Sequence, residues 1–361
     1  MAQSEPVQHD LRGGSSANRA DGTESPLASY PASPALVSPD SDPLNILDHQ
    51  RNVHLPSDLH LRDLELMHHY STVSYKTISR HSTFMDSFQF EVPKIALSHP
   101  FLMHGLLALS ASHLVHLNKD SDRVKEYEEL AFGHQTLALR LFRGELNNIT
   151  PSNSEAMFAF SSIVTVLGFA SLQTTGVQSL PPIDEMLQTY NLCRGVSEIL
   201  ETSNPWLKTS NSWVPNVLAS MRMPEKPLPA DIEKNISLLF KLNSDLTVTG
   251  QTMEETAASE NAISEISTTF QQVHSGFAVA WAFRWPICVA PIFISNLRDR
   301  RPMALVLLAH YCILLHKMDD FWWMKGWPRR LLHSIYTTLD PSWRDAIRWP
   351  MEVIGLSSPG E

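Results

Sequence analysis

The chain has 361 residues, a formal net charge of −10 at pH 7, 43% hydrophobic and 18% charged residues, and three cysteines. That length accommodates one large domain or two ordinary ones, and the hydrophobic share excludes a wholly disordered chain. The acidic balance argues against a free-standing nucleic-acid binder, which needs a basic face to neutralise phosphates.

Cys193, Cys288 and Cys312 form neither a disulfide framework nor a C-x-x-C pair, so a reducing compartment is expected. The opening MAQSEPVQHDLRGG has no apolar stretch of signal-peptide length, and the closing GLSSPGE carries no lipidation motif.

Residues 1–58 read as a disordered Ser/Pro-rich acidic tail or linker, because TESPLASYPASPALVSPDSDP buries too little apolar surface to offset its ordering entropy. From Leu59 the pattern turns helical, with Leu59, Leu66, Tyr70, Val73 and Ile78 expected near one face. Two long uncharged runs follow, Ile95–Asn118 and Ala156–Ile183. Their polar side chains are costly in hydrocarbon, so both are expected to be buried core helices rather than membrane spans. In the first, Pro100 fills the opening turn after Ser98 or His99, and His104, Ser112, His113 and His116 form its polar strip.

Between these runs, Asp122 to about Asn147 is amphipathic, with Tyr127, Leu130, Ala131, His134, Leu137, Ala138 and Leu141 expected inward. Ser152 stands three residues before Glu155, a capping-box spacing. Pro181-Pro182 and Pro205 bracket a helix expected to run to about Glu201. After the Pro-rich joint MPEKPLP, residues 230–272 read as two weaker helices broken near Gly250. The stretch 251–269 has few large apolar groups, so a solvated or mobile face is expected there.

Seven of the nine tryptophans lie between Trp281 and Trp349. With no alternating strand pattern of useful length, the fold class is all-α: roughly ten or more packed helices forming one large domain over 59–356, with 357–361 a flexible C-terminus.

Chemical signatures are sparse. His113-x-x-His116 and His68-His69 are ligand-like pairs, but no cysteine or carboxylate set completes a tetrahedral site, so core hydrogen bonding is the expectation. There is no G-x-S-x-G elbow and no phosphate loop. Asp319-Asp320 lack the third acid of a magnesium–diphosphate motif, since Trp323 stands where it belongs. Arg298-Asp299-Arg300-Arg301 and Lys325, Arg329 and Arg330 read as solvated helix ends rather than nucleic-acid patches. No enzyme, catalytic residue, metal ligand or cofactor is therefore expected. The remaining candidate is an apolar ligand pocket lined by Phe277, Trp281, Trp285, Trp322, Trp323, Met324 and Trp327, because clustered tryptophans recur in ligand clefts.

The blocks LELMHHYSTVSYKTI (64–78), IALSHPFLMHGLLALSASHL (95–114), YEELAFGHQTLALRLFRGEL (127–146), FWWMKGWPRRLLHSIY (321–336) and DPSWRDAIRWPMEVIGL (340–356) resemble the fungal-specific transcription factor domain. The resemblance is to zinc-cluster regulators of the sterol uptake control type. It implies a nuclear regulator of transcription, often of metabolic or secondary-metabolite genes, with an all-α regulatory domain that takes a sterol-like ligand. It also implies an N-terminal binuclear zinc cluster of six cysteines that reads DNA. This sequence departs there, since no cysteine precedes Cys193. The resulting expectation is a regulator without its own DNA-binding module, acting through a DNA-binding transcription factor or as a homodimer. The alternative reading is a sterol-like small-molecule sensor or carrier.

Overall fold

Apolar residues at helical spacing, punctuated by prolines at first turns and glycines at breaks, dictate a chain of helices. The computed structural model describes residues 61–80, 82–119, 122–174, 180–209, 213–215, 226–248, 250–275 and 282–356. These contain no strand, and the all-α reading holds. The tail expected over 1–58 and the flexible end expected over 357–361 lie outside the described residues.

The helices are α1 (Leu61–Thr72), α2 (Ser82–Asp86), α3 (Val92–Ala96), α4 (Pro100–Leu117), α5 (Val124–Glu145), α6 (Ser154–Thr174) and α7 (Pro182–Thr209). They continue as α8 (Ala230–Val248), α9 (Met253–Ser275), α10 (Arg284–Cys288), α11 (Pro291–Arg298), α12 (Pro302–His316), α13 (Trp327–Thr338) and α14 (Arg348–Ile354).

α4 is the hub of the N-terminal half. It starts at Pro100 with His99 as an uncapped N-cap, packs most extensively on α5, and also meets α1 and α6. Both long apolar helices, α4 and α6, are long and apolar enough to cross a membrane. In each, however, most of the apolar stretch is buried inside the protein. Their burial is core packing: Phe160 of α6 lies against Phe101 of α4 and Phe142 of α5, at ring-centroid distances of 5.5 and 4.7 Å. A smaller apolar cluster of Leu66, Leu107, Ala111, Val115 and Tyr127 joins α1, α4 and α5.

Several local expectations are corrected. Val73 is exposed, because α1 ends at Thr72 and a 3-10 turn (Ser74–Thr77) redirects the chain. Leu59 lies outside the described residues. In α5, Leu141 points to solvent while Leu139 and Phe142 are buried. α6 begins at Ser154 rather than being capped by Ser152. Asn153 secures the preceding loop instead: its Oδ1 accepts from Thr150 N at 2.7 Å and its Nδ2 donates to Glu145 Oε2 at 3.1 Å. α7 runs through Pro205 to Thr209.

The break at Gly250 is present, and its φ of +111° is a conformation that favours glycine. The segment beyond it, α9, is not a solvated face. It buries Ala258, Ser259, Ala262, Ile263, Ile266, Thr269 and Phe270, the small residues allowing close helix approach.

In the C-terminal half, α12 is buried along nearly its whole length and packs on α9, α13 and α14. The arginine cluster after α11 is a helix end, as expected. Arg300 adopts φ +56°, where its guanidinium reaches back to the Leu297 carbonyl (3.1 Å) and to Asp184 of α7 (2.5 Å). The second basic group is only partly solvated, since Arg330 pairs with the buried Glu185 of α7 at 2.7 Å.

Candidate functional site

The aromatic candidates divide by element. Phe277 and Trp281 lie outside the described residues. Trp285 in α10, Trp322, Trp323 and Met324 in the turn between α12 and α13, and Trp327 at the start of α13 are all buried. Helix geometry does not gather them around one point.

Trp285 stacks on Tyr311 of α12 at 4.4 Å and meets Phe293 of α11 edge-on at 5.4 Å. Trp323 and Trp327 instead converge on Phe169 of α6, at 6.0 and 5.2 Å. Trp322 turns the other way, onto His113 and His116 of α4, at 5.3 and 5.6 Å.

A buried indole or phenol usually finds a polar partner. Trp285 Nε1 donates to the Ala262 carbonyl (2.9 Å), Trp323 Nε1 to the Thr77 carbonyl (2.8 Å), and Trp327 Nε1 to Glu185 (3.2 Å). Tyr311 donates to the Ala282 carbonyl at 3.0 Å. Among the described residues, three groups depart from the rule. The Trp322 and Trp213 indole N–H groups and the Tyr190 hydroxyl are buried without a hydrogen-bond partner. Tyr190, on α7, sits 5.8 Å from Trp285. Its phenol pKa is pushed well up by burial, so it is a neutral O–H within an aromatic cluster. Sequence reasoning missed Tyr190, because nothing local marks it; only the fold brings α7 beside α10.

The turn bearing Trp322 and Trp323 is clamped from the N-terminal half. Arg80 pairs with Asp320 and lies over the Phe321 ring at 4.8 Å. Asp319 accepts from Gly326 N at 2.7 Å and closes the turn. The aspartate pair thus has local structural partners.

The histidine pairs behave as hydrogen-bonding groups. His113 Nδ1 meets His69 Nε2 at 3.2 Å and Ser74 Oγ at 3.3 Å, whereas His68 is exposed. Among the described residues, no three His, Cys, Asp or Glu side chains converge as metal ligands.

The zinc cluster implied by the resemblance was tested against the cysteines. Three are present where six are needed. Burial pushes the Cys193 thiol up to about 12 and Cys312 higher, which opposes the thiolate form that zinc binds. These cysteines do not fit the cluster.

Residues 65–177 match the fungal specific transcription factor domain. Three of the five blocks quoted above fall within this span, save Leu64 at its edge. Over 314 residues, 81% of its length, the chain is 24% identical to a Zn(2)-C6 fungal-type transcription factor of Gibberella zeae. It is 34% identical over 161 residues to sterol uptake control protein 2 of Candida albicans, a match covering 44% of this chain. It is 26% identical over 265 residues, 71% of its length, to the Zn(2)-C6 fungal-type transcription factor afumD of Aspergillus fumigatus. The chain spans 62%, 20% and 68% of these relatives' own lengths. The resemblance read from the sequence blocks therefore holds.

Proposed function

We propose that this chain is a transcriptional regulator whose helical domain is the regulatory part of a fungal zinc-cluster factor. The supporting observation is the matched domain at 65–177, together with alignments that extend over most of the chain to proteins named as transcription factors. Its three cysteines cannot form the six-cysteine cluster, so DNA reading falls to residues beyond this sequence or to a partner that carries such a cluster, whether or not the chain also pairs with a second copy. The nucleus is the working location, and a metabolic or secondary-metabolite gene set the working target. No catalytic role is assigned to any residue.

Tethering tests this reading. The full chain fused to a heterologous DNA-binding module is expected to change a reporter driven by that module's site. An unchanged reporter, with the fusion expressed and nuclear, would contradict it.

A second reading, a sensor or carrier for a sterol-like molecule, is favoured by Tyr190. A buried hydroxyl without a partner carries a desolvation cost, and a rigid apolar ligand bearing one hydroxyl group would supply the missing partner beside Trp285. Titration of the purified chain with labelled sterols is expected to quench tryptophan fluorescence, less so in Tyr190→Phe. Flat titrations would remove this reading.

A further inference from the structure

The α1–α4–α5 layer contains two imidazole–imidazole contacts. His104 Nδ1 of α4 lies 2.9 Å from His134 Nδ1 of α5. His69 Nε2 of α1 lies 3.2 Å from His113 Nδ1 of α4. A nitrogen–nitrogen contact at hydrogen-bond distance has room for one proton, since one ring must donate and the other accept. When both rings are fully protonated, the contact becomes a clash of two N–H groups and two positive charges.

We propose that the His69–His113 contact is a proton-sensitive latch, which holds α1 on α4 while the two rings share one proton and releases α1 when both are protonated. The neighbours define the starting state. His134 Nε2 faces Asp63 Oδ1 of α1 at 3.2 Å, an ionic contact that is too bent to count as a full hydrogen bond. A proton on Nε2 leaves His134 Nδ1 as the acceptor and His104 Nδ1–H as the donor. This second pair joins α4 to α5, and a further proton on His134 would strengthen its contact with Asp63 of α1, so it lies outside the latch. Within the latch, His113 also meets Ser74 of the 3-10 turn, and its ring lies against Trp322.

The charged surroundings set the direction. Around His104 and His134, the Asp63 carboxylate favours proton uptake, but burial opposes it more strongly. Around His69, His68 opposes a proton, Glu65 favours one, and burial again dominates. His113 is opposed by burial, then by His69 and His116, while His116 faces Lys119 and Lys325. All five rings are therefore held below the ordinary imidazole value, His113 and His134 down to about 4. Release of α1 exposes His69 and His113 and returns them toward the ordinary value of 6.5. The latch is thus fully closed above that value and weakens progressively as pH falls from it toward about 4. Glu65 is not the sensor, because Arg123 holds it ionised throughout this window. The inference does not depend on the regulatory reading above.

Amide hydrogen exchange on the full chain tests it, with rates corrected for their intrinsic pH dependence. The protection of 61–72 is compared with that of 327–338 in α13. Between pH about 7.5 and about 5, the protection of α1 relative to α13 is expected to fall about tenfold or more. In His69→Gln an amide stands in for the neutral ring and can reorient to accept, so the ratio is expected to stay constant. His104→Asn leaves the His69–His113 contact in place, and its ratio is expected to fall as that of the wild type does. A constant ratio in the wild type overturns the proposal, as does equal loss of protection in both helices. So does a full wild-type fall in His69→Gln, and the wild-type comparison alone decides the matter should that variant not fold.

Discussion

Arg123, at the N-cap of α5, closes both terminal guanidinium nitrogens on the Glu65 carboxylate of α1, at 2.9 and 2.8 Å. Tyr127 adds a third donor to the same carboxylate at 2.9 Å. The Arg123 hydrogen bonds are the largest cause holding Glu65 down at about 2, with the Tyr127 and Arg62 bonds adding to them against the cost of burial. A carboxylate depressed in the fold contributes stability that is present above its ordinary value and is lost as pH falls toward the depressed one.

Glu65→Gln is therefore expected to lower stability near neutral pH by about 1 kcal/mol, a modest figure because the site is one-third exposed and screened by solvent. The deficit should shrink as pH falls from about 4.5 toward about 2. Urea midpoints of both proteins across that range check this.

Gly105 is the close-approach point of α4 on α6. A Cβ there would lie 2.6 Å from Phe160 Cε2. Alanine gains up to about 1 kcal/mol in helix propensity, whereas overpacking costs about 1–3 kcal/mol. Phe160 is fixed between Phe101 and Phe142, so the ring cannot easily yield. Gly105→Ala is expected to destabilise the domain on balance, read as a lower thermal midpoint.

Glu185 is buried, and Arg330 and the Trp327 indole share its Oε2. Removing the guanidinium leaves a carboxylate in the core. Arg330→Met is expected to cost about 3 kcal/mol. Adding Glu185→Gln is expected to recover most of that loss. A double-mutant cycle by chemical denaturation measures the coupling.

Trp323 joins the two halves of the domain through its ring contacts with Phe169 and Phe321 and its hydrogen bond to Thr77. Trp323→Ala is expected to cost about 3–5 kcal/mol. Trp323→Phe keeps most of the ring but loses the bond to Thr77, and is expected to cost less. The ordering of their denaturation midpoints tests whether this indole is a structural keystone.

Much of this architecture is legible in the sequence, and the exceptions have physical causes. α4 and α6 are visible because an unbroken apolar surface signals burial on every side. α9 is not, because its buried face is built from Ala258, Ser259 and Ala262, which suit close packing yet look solvent-facing when only large apolar groups are counted. Trp322, Trp323 and Trp327 are visible as a dense aromatic run. Their partners are not, since Thr77, His113 and Glu185 lie far away in the chain and only the fold brings them together. The histidines of α4 are visible as a polar strip, but their pairing with His69 and His134 depends on how three helices meet.

Regulation of transcription by this chain is a proposal that can be tested in the cell. The most direct measurement is chromatin occupancy of the tagged full-length protein in its own host, taken together with transcript levels after deletion of the gene. Enrichment at a defined set of promoters, with altered transcripts from those genes, is the predicted result. No promoter enrichment, together with an unchanged transcript profile, would contradict the account.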